Sequence, residues 1–459
     1  DDNNIDVLAY ECPILTYWAP PRLSTCPGGG FFAPSTGNLH MDIASVEQVD
    51  SEVGDALAQQ LAYQRDTVTL VASANYLSPA VLAAQGSTLA SERAEGYPGA
   101  RYFAGTEQID RVETAAIERA QRLFDAPHAN VQPHSGTSAN MGVYVGVLDP
   151  GDTILSLQLD HGGHLSHGHH VNFAGQYYTI EQYGVDLDSG VIDYDALAET
   201  ARAVEPDLIV TGFSAYPRTV DWARVGTIAR EVDAYHLADV AHTTGLIAGG
   251  VHPNPIDHAD FVTGSTHKSL RAGRGGMILC QQEHADAIDR GVFPGAQGDP
   301  LMHNIAGKAV GFAEALEPGF TRYAASVIEN AAVLARTLRV AGFDLVSGGT
   351  DTHLILIDLQ HTHPELTGKD AETALEEAGI VLNANPIPGD PRPPRLTSGI
   401  RIGTAAVTTR GLGTDQMARI GRLIADRLAA PSDDAVAEEI ATAVTSICDA
   451  FPLYPELDG

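Results

Sequence analysis

The chain has 459 residues, 44% of them hydrophobic and 19% charged, a balance that buries a large core and predicts more than one domain. Its formal net charge of −32 excludes a general role on nucleic acid or on anionic membrane surfaces, because such partners carry the same sign. No apolar run approaches the roughly 18 residues of a membrane span, and the start, DDNNIDVLAYECP, lacks the basic and apolar regions of a signal peptide, so a cytoplasmic protein is expected.

Residues 1–47, with the run YWAPPRLSTCPGGGFFAP, are rich in Pro, Gly and aromatics and show no period. They are expected to form an extended arm or an added segment. The cysteines, Cys12, Cys26, Cys280 and Cys448, fall in no metal or redox spacing and read as reduced structural residues. A helix is predicted over QIDRVETAAIERAQRLF (108–124), followed by strands at DTILSLQ (152–158), QYYTIEQY (176–183) and DLIVTGF (207–213). Next come the helix DWARVGTIAREV (221–232) and strands at AYHLADV (234–240), DFVTGST (260–266) and GGMILCQ (275–281). This alternation predicts a mostly parallel sheet covered on both faces. After about 317 the pattern becomes a long helix (ASVIENAAVLARTLRVA), THLILIDL, the helix KDAETALEEA, IRIGTAAVTT and two closing helices. The expected division is an extension over 1–47, a large α/β unit over 48–316 and a smaller α+β domain over 317–459, frayed from PELDG onward.

Ligands of open α/β sheets bind at the carboxyl ends of strands, and four polar clusters fall there. In HSGTSAN, Ser135, Gly136 and Thr137 would offer hydroxyls and free amides at a helix N-terminus, which suits a phosphate; an ordinary helix cap is the other reading. LDHGGHLSHGHH holds five histidines. A zinc site at His161, His164 and His167 lacks a supporting Cys, Asp or Glu cluster, and a flat imidazole from His164 over an aromatic cofactor fits better. In LADVAHTTG, Asp239 needs a cationic partner if buried; a structural Asp bonding backbone amides is the alternative. Finally, STHKSLRAGRGG places Lys268, one of three lysines in the chain, where arginine would serve if charge alone were needed. Only lysine can form a Schiff base. A phosphate cup, a stacking histidine, a carboxylate for a pyridinium nitrogen and a strand-end lysine are together the parts of a pyridoxal phosphate site.

The stretches AEGYPGARYFAG, NVQPHSGTSAN, HGGHLSHG, GFSAYPRTVDWA, DVAHTTGL, STHKSLRAGRGG, VFPGAQGDPLMH, VSGGTDTHL and TSGIRIGT run in order from about residue 48 to the end. In them the sequence resembles serine hydroxymethyltransferases, whose fold is the fold type I, aspartate aminotransferase-like α/β transferase. The resemblance implies pyridoxal 5'-phosphate on Lys268, with Asp239 at its ring nitrogen and His164 stacked on the ring. It places Ser214 and His242 near the phenolic oxygen, and Ser135, Gly136, Thr137 and Ser265 at the cofactor, with Gly298 reaching in from a second subunit. Arg401 and Ser73 would take the substrate carboxylate, and Glu95 the β-hydroxyl proton. The implied reaction cleaves or transfers the Cβ unit of a β-hydroxy-α-amino acid through a glycine quinonoid, in at least a homodimer with shared sites.

Four positions depart from the family pattern. Arg93 and Phe103 stand where tyrosines are usual, Asp299 replaces a glycine, and Ala384 replaces a lysine that would face folate. Arg93 and Phe103 still fall at the substrate. Tyr102, Leu159, Leu165, Phe293 and Asn385 of the folate pocket remain. The acceptor is therefore left open between tetrahydrofolate and an aldehyde, as in threonine transaldolases or aldolases. A specialised enzyme for α-substituted serine and a binding homologue without turnover are the other readings. An added arginine could hold an extra anionic group, or pair with Asp299 or Glu92.

Overall fold

Seven strands form the central sheet of the computed structural model, which describes residues 43–455. They are β1 (His128–Asn130), β2 (Thr153–Leu157), β3 (Thr179–Tyr183), β4 (Leu208–Gly212), β5 (Tyr235–Asp239), β6 (Phe261–Ser265) and β7 (Gly276–Cys280), in spatial order β1-β7-β6-β5-β4-β2-β3. Only β7 runs against the rest, so the sheet is mostly parallel, as the alternating pattern predicts. β4, β6 and β7 are buried at every residue, in keeping with largely apolar strands covered on both faces. The edge strand β3 exposes Thr179, Glu181 and Gln182, a polar edge that discourages pairing with another chain.

The second sheet is antiparallel: β8 (Asp344–Leu345), β9 (Leu354–Asp358), β10 (Asn383–Asn385) and β11 (Gly399–Gly403), ordered β8-β9-β11-β10. It has its own apolar cluster, in which Ile355, Ile357, Ile400 and Ile402 meet Leu334 and Leu338 of the helix Pro318–Val340 and Ile420 and Ile424 of Thr414–Ala429. Position 316/317 falls between the helices Met302–Ala315 and Pro318–Val340. Ahead of the central sheet, Val68 and Thr69 pair in parallel with Ile380 and Val381, and Leu70 accepts from Gly403. The chain thus reaches Ser73 beside the second sheet.

Several boundaries differ from expectation. Residues 43–47, assigned to the extended arm, lie in the helix Ile43–Val49, and a further helix, Ser51–Asp66, begins at the Asp50 cap. The rest of that arm, with Cys12 and Cys26, and residues 456–459 of the tail lie outside the described residues; Cys280 and Cys448 are buried free thiols. The strand expected from 176 starts at Thr179, because Phe173–Tyr177 is a helix capped by Asn172. The long helix begins at Pro318, seven residues before the segment expected, with proline in the first turn where its missing N–H costs nothing. β1 and β10, three residues each, carry too little pattern to be read from sequence. No described helix is long and apolar enough to cross a membrane.

Lys308, 1% exposed, donates to the carbonyls of Val131 (2.6 Å), Pro133 (3.0 Å) and Gly276 (2.9 Å). Burial pushes its amine down to about 7, while three carbonyl acceptors favour the ammonium form that can donate to all of them. It fastens the loop before Ser135 to the start of β7. Lys308→Met strands these acceptors in the core and should destabilise the protein by about 3 kcal/mol, read as a lower urea midpoint.

Candidate active site

Five strands of the central sheet deliver polar residues to one end. β1 leads to Ser135, β2 to His164, β4 to Ser214, β6 to Lys268, and β5 ends at Asp239. This is the carboxyl end, where the parallel strands leave a crevice.

Asp239 is 6% exposed, and its carboxylate is held on three sides. Oδ2 accepts from His167 Nε2 (2.9 Å) and Asn140 Nδ2 (2.8 Å), and Oδ1 from the Ala241 amide (3.0 Å). Burial works against the charge, but the His167 ring and the Asn140 amide outweigh it and hold the carboxyl well below its usual range. About one of the four acceptor positions of a carboxylate remains, which suits a protonated ring nitrogen. Gly212 of β4, at φ +127° and paired with Asp239, allows this approach: a Cβ there would sit 2.1 Å from the Asp239 carbonyl oxygen.

Burial pushes the Lys268 amine down to about 8, against the pull of Asp239. Its Nζ makes no hydrogen bond or ion pair to a described residue. The Lys268 carbonyl is fixed by Asn75 Nδ2 (2.8 Å), itself bonded to Tyr323 (2.9 Å). Arg401 enters from β11, donating from Nη1 to the Ser214 carbonyl (2.6 Å) and from Nε to Asn383 (3.1 Å). Its Nη2 is left for an anion. Burial pushes Arg401 down to about 10, so it remains charged at neutral pH. Ser73, half-buried, follows Ala72, whose carbonyl accepts from His353 Nε2 (3.1 Å).

Burial, with the His167 ring beside it, pushes His164 down to about 4. Its Nδ1 accepts from the Ser166 amide (3.2 Å), and the ring is neutral. His242 is 3% exposed and stacks on His353 at 5.6 Å; burial, then Lys268 and Arg401, holds it well below the usual imidazole range. The Ser214 hydroxyl donates to Gly163 (2.6 Å). At the head of the helix Gly136–Val147, Ser135 caps the Ser138 amide, while the amides of Gly136 and Thr137 have no partner among the described residues. A Cβ on Gly136 would lie 2.8 Å from Ser265 Oγ, so only glycine keeps this cradle open beneath the serine. These donors fit a phosphate, and the neutral imidazole, the ionised acid and the depressed amine fit a pyridoxal ring. The cap reading of Ser135 also holds, since capping leaves the first two amides free.

Several of the remaining candidates gather around Arg93. Arg93 bonds Glu95 (3.2 Å) and Asp299 (2.5 Å) and lies over Phe103, 5.5 Å from its centroid. Tyr102 packs edge-on to Phe293 at 5.8 Å. Tyr102 is 75% and Phe103 40% exposed, and Gly298 is exposed. Among the described residues, no hydrogen bond or ion pair joins Glu95 to Lys268, Asp239 or Arg401. Of the folate-pocket residues, Leu159 and Leu165 flank the His164 loop, Asn385 lies in β10, and Tyr102 and Phe293 pack on each other.

Sequence reasoning missed the duties of His167, Asn140, Asn75 and His353. Both His167 and Asn140 sit within quoted motifs, but their shared target, Asp239, lies 72 and 99 residues away. His161 of the same run is also engaged, its Nδ1 accepting from the Val185 amide (3.1 Å).

The serine hydroxymethyltransferase family model matches residues 46–424. A serine hydroxymethyltransferase of Halorubrum lacusprofundi is 59% identical over 414 residues, covering 90% of this chain and 100% of the relative. Those of Halobacterium salinarum and Haloquadratum walsbyi are 57% and 55% identical, covering 89% and 90% of this chain and 99% and 100% of their own. The likeness in the motifs is thus borne out along most of the sequence, and the α/β architecture is the family's fold type I. The chain belongs to the serine hydroxymethyltransferase family.

Proposed function

We propose that the protein is a pyridoxal 5'-phosphate-dependent transferase that moves the hydroxymethyl carbon of serine to tetrahydrofolate, yielding glycine and methylene-tetrahydrofolate. The observation that carries this reading is the buried Lys268 amine facing an Asp239 carboxylate that the protein keeps ionised. Pyridoxal phosphate, when bound, supplies an electron sink for the pair released as the Cα–Cβ bond breaks.

The chain's own groups do the rest. Gly136, Thr137 and Ser135 would hold the phosphate, with Ser265 beside them. Asp239 would keep a ring nitrogen protonated, and the neutral His164 would lie against the ring, with Ser214 and His242 toward its phenolic oxygen. Arg401 offers Nη2 and the second hydrogen of Nη1 to the substrate carboxylate, a charge-assisted pair, with Ser73 beside it. Glu95 takes the proton of the β-hydroxyl as Cβ departs at the oxidation level of formaldehyde. Capture of that carbon by tetrahydrofolate releases water, and Cα gains a proton to give glycine. Tyr102, Phe293, Leu159, Leu165 and Asn385 are the groups proposed to contact the folate.

The lack of any hydrogen bond or ion pair from Glu95 to Lys268 among the described residues and the exposure of Tyr102 and Phe103 support a homodimer whose sites are shared. Glu95, Arg93, Phe103 and Gly298 of one copy would then serve the lysine of the other. An extra anionic group on the substrate is not favoured, because the Arg93 guanidinium is already taken by two carboxylates.

A spectral titration with glycine, serine and threonine, each with and without tetrahydrofolate, tests the activity. Glycine should give a long-wavelength band that tetrahydrofolate intensifies, and serine should be cleaved fastest with tetrahydrofolate present. Folate-independent release of acetaldehyde from threonine, with serine inert, would move the assignment to a transaldolase or aldolase. Because the neutral amine is the nucleophile, the rate at which cofactor-free protein takes up pyridoxal phosphate should rise with pH around a midpoint near 8 and level off above it. Lys268→Ala should abolish the accompanying absorption band. Sharing of sites predicts that Lys268→Ala and Glu95→Gln, each inactive, regain about a quarter of wild-type activity when co-expressed, since hybrid dimers hold one intact site; a mixture that stays inactive would place Glu95 at its own lysine.

A further inference from the structure

Three of the departures from the family pattern meet at one guanidinium. Arg93 Nε lies 2.5 Å from Asp299 Oδ2, its Nη2 3.2 Å from Glu95 Oε1, and its carbon 5.5 Å from the centre of the Phe103 ring. Phenylalanine offers Arg93 a ring face within cation–π range, with no hydroxyl to compete for the carboxylates. Asp299 is fixed in turn, because its Oδ1 accepts from the Ala94 amide at 2.7 Å.

The backbone on both sides of Glu95 is already anchored. Arg101 Nη1 donates to the carbonyls of Ala94 (2.8 Å) and Gly96 (2.9 Å), and Gln132 Nε2 donates to Gly96 (2.9 Å). Arg101 is itself locked to the buried Glu113 (2.5 Å). What the backbone does not fix is the Glu95 carboxylate, and among the described residues Arg93 is the only side chain bonded to it.

We infer that Arg93 is a positioning residue for Glu95, and that Arg93, Asp299 and Phe103 act as one unit replacing the usual phenols and glycine. This rests on the proposal that Glu95 handles the substrate hydroxyl. Asp299 orients the guanidinium through Nε, which leaves Nη2 to hold the Glu95 carboxylate in one direction. The exchange therefore preserves the reaction on β-hydroxy amino acids, and it makes Asp299, which touches no reacting atom, necessary for it.

The test uses the cofactor-loaded enzyme. Arg93→Ala should lower kcat for serine cleavage about ten- to a hundredfold, the cost of a misplaced catalytic group, with the serine KM within about threefold. Asp299→Asn should do nearly the same, and the double variant should be no worse than the poorer single, as expected of residues acting as a unit. Glycine has no β-hydroxyl, so solvent exchange of its α-proton should stay within about threefold in all three variants. Arg93→Lys should recover part of the loss, since lysine can reach one carboxylate but cannot bridge two. Serine cleavage within twofold of wild type in Arg93→Ala, multiplying losses in the double variant, or an equal fall in glycine exchange would each overturn the inference. Glu95→Gln is the control. If it leaves serine cleavage intact, the Glu95 proposal itself fails; if it abolishes cleavage while Arg93→Ala does not, only the positioning role fails.

Discussion

A carboxylate buried at the end of β5 is the constraint around which the site is arranged. Taking the Asp239 charge out of water costs several kcal/mol unless partners replace the solvent, and the fold supplies three: His167, Asn140 and the Ala241 amide. Each comes from a different place, respectively the loop after β2, the helix Gly136–Val147 and the turn after β5. The same helix presents its free amides on its first turn, so the residue that steadies the acid and the cradle for an anion move as one rigid body. Thr263 of β6 completes the chain by donating to Asn140 Oδ1 at 2.6 Å, which fixes which end of that amide faces the acid. Lys268, three residues beyond β6, is therefore registered to Asp239 through hydrogen bonds and strand pairing.

A second buried charge system organises the loops. Arg101, Glu113 and Gln132 join the turn that carries Glu95 to the loop that precedes Ser135, and Lys308 ties that loop to β7. Glu113 is 0% exposed, and burial raises its carboxyl while Arg101 opposes the rise. A buried pair of this kind adds little to net stability but is costly to break. Here it gives the Glu95 turn a fixed backbone, which is what a short polar loop with its own glycines needs if its side chains are to be placed within about half an ångström. Of the altered residues, Asp299 is tied to this frame by the Ala94 amide, whereas Arg93 and Phe103 meet it from the exposed side.

Strands β2 and β4 to β7 were legible because both faces are covered, so each reads as a short, largely apolar run of five residues between turn signals. The helix Glu107–Phe124 was legible because Ile109, Ala116, Ala120 and Phe124 recur at helical spacing on its buried side. What sequence could not place was decided by neighbours. Phe173–Tyr177 is helical because Asn172 caps it and Ala174 is buried, although its aromatic residues favour a strand. Helix Ser51–Asp66 buries only Gly54 and so leaves no apolar stripe to recognise.

By itself the sequence determined the chemical inventory: one strand-end lysine, an acid three residues before a histidine, a glycine-led helix start and an arginine in a late strand, all held in motifs of local spacing. Tertiary structure alone decided the partners. It gave Asp239 to His167 rather than only to a ligand, stacked His242 on His353, and bound Arg93 to two carboxylates instead of leaving it for an anion. The physical reason is distance along the chain. Spacing of a few residues is set by backbone geometry and can be read, whereas His167 meets Asp239 and Arg93 meets Asp299 only because the sheet and its crossovers bring distant segments together.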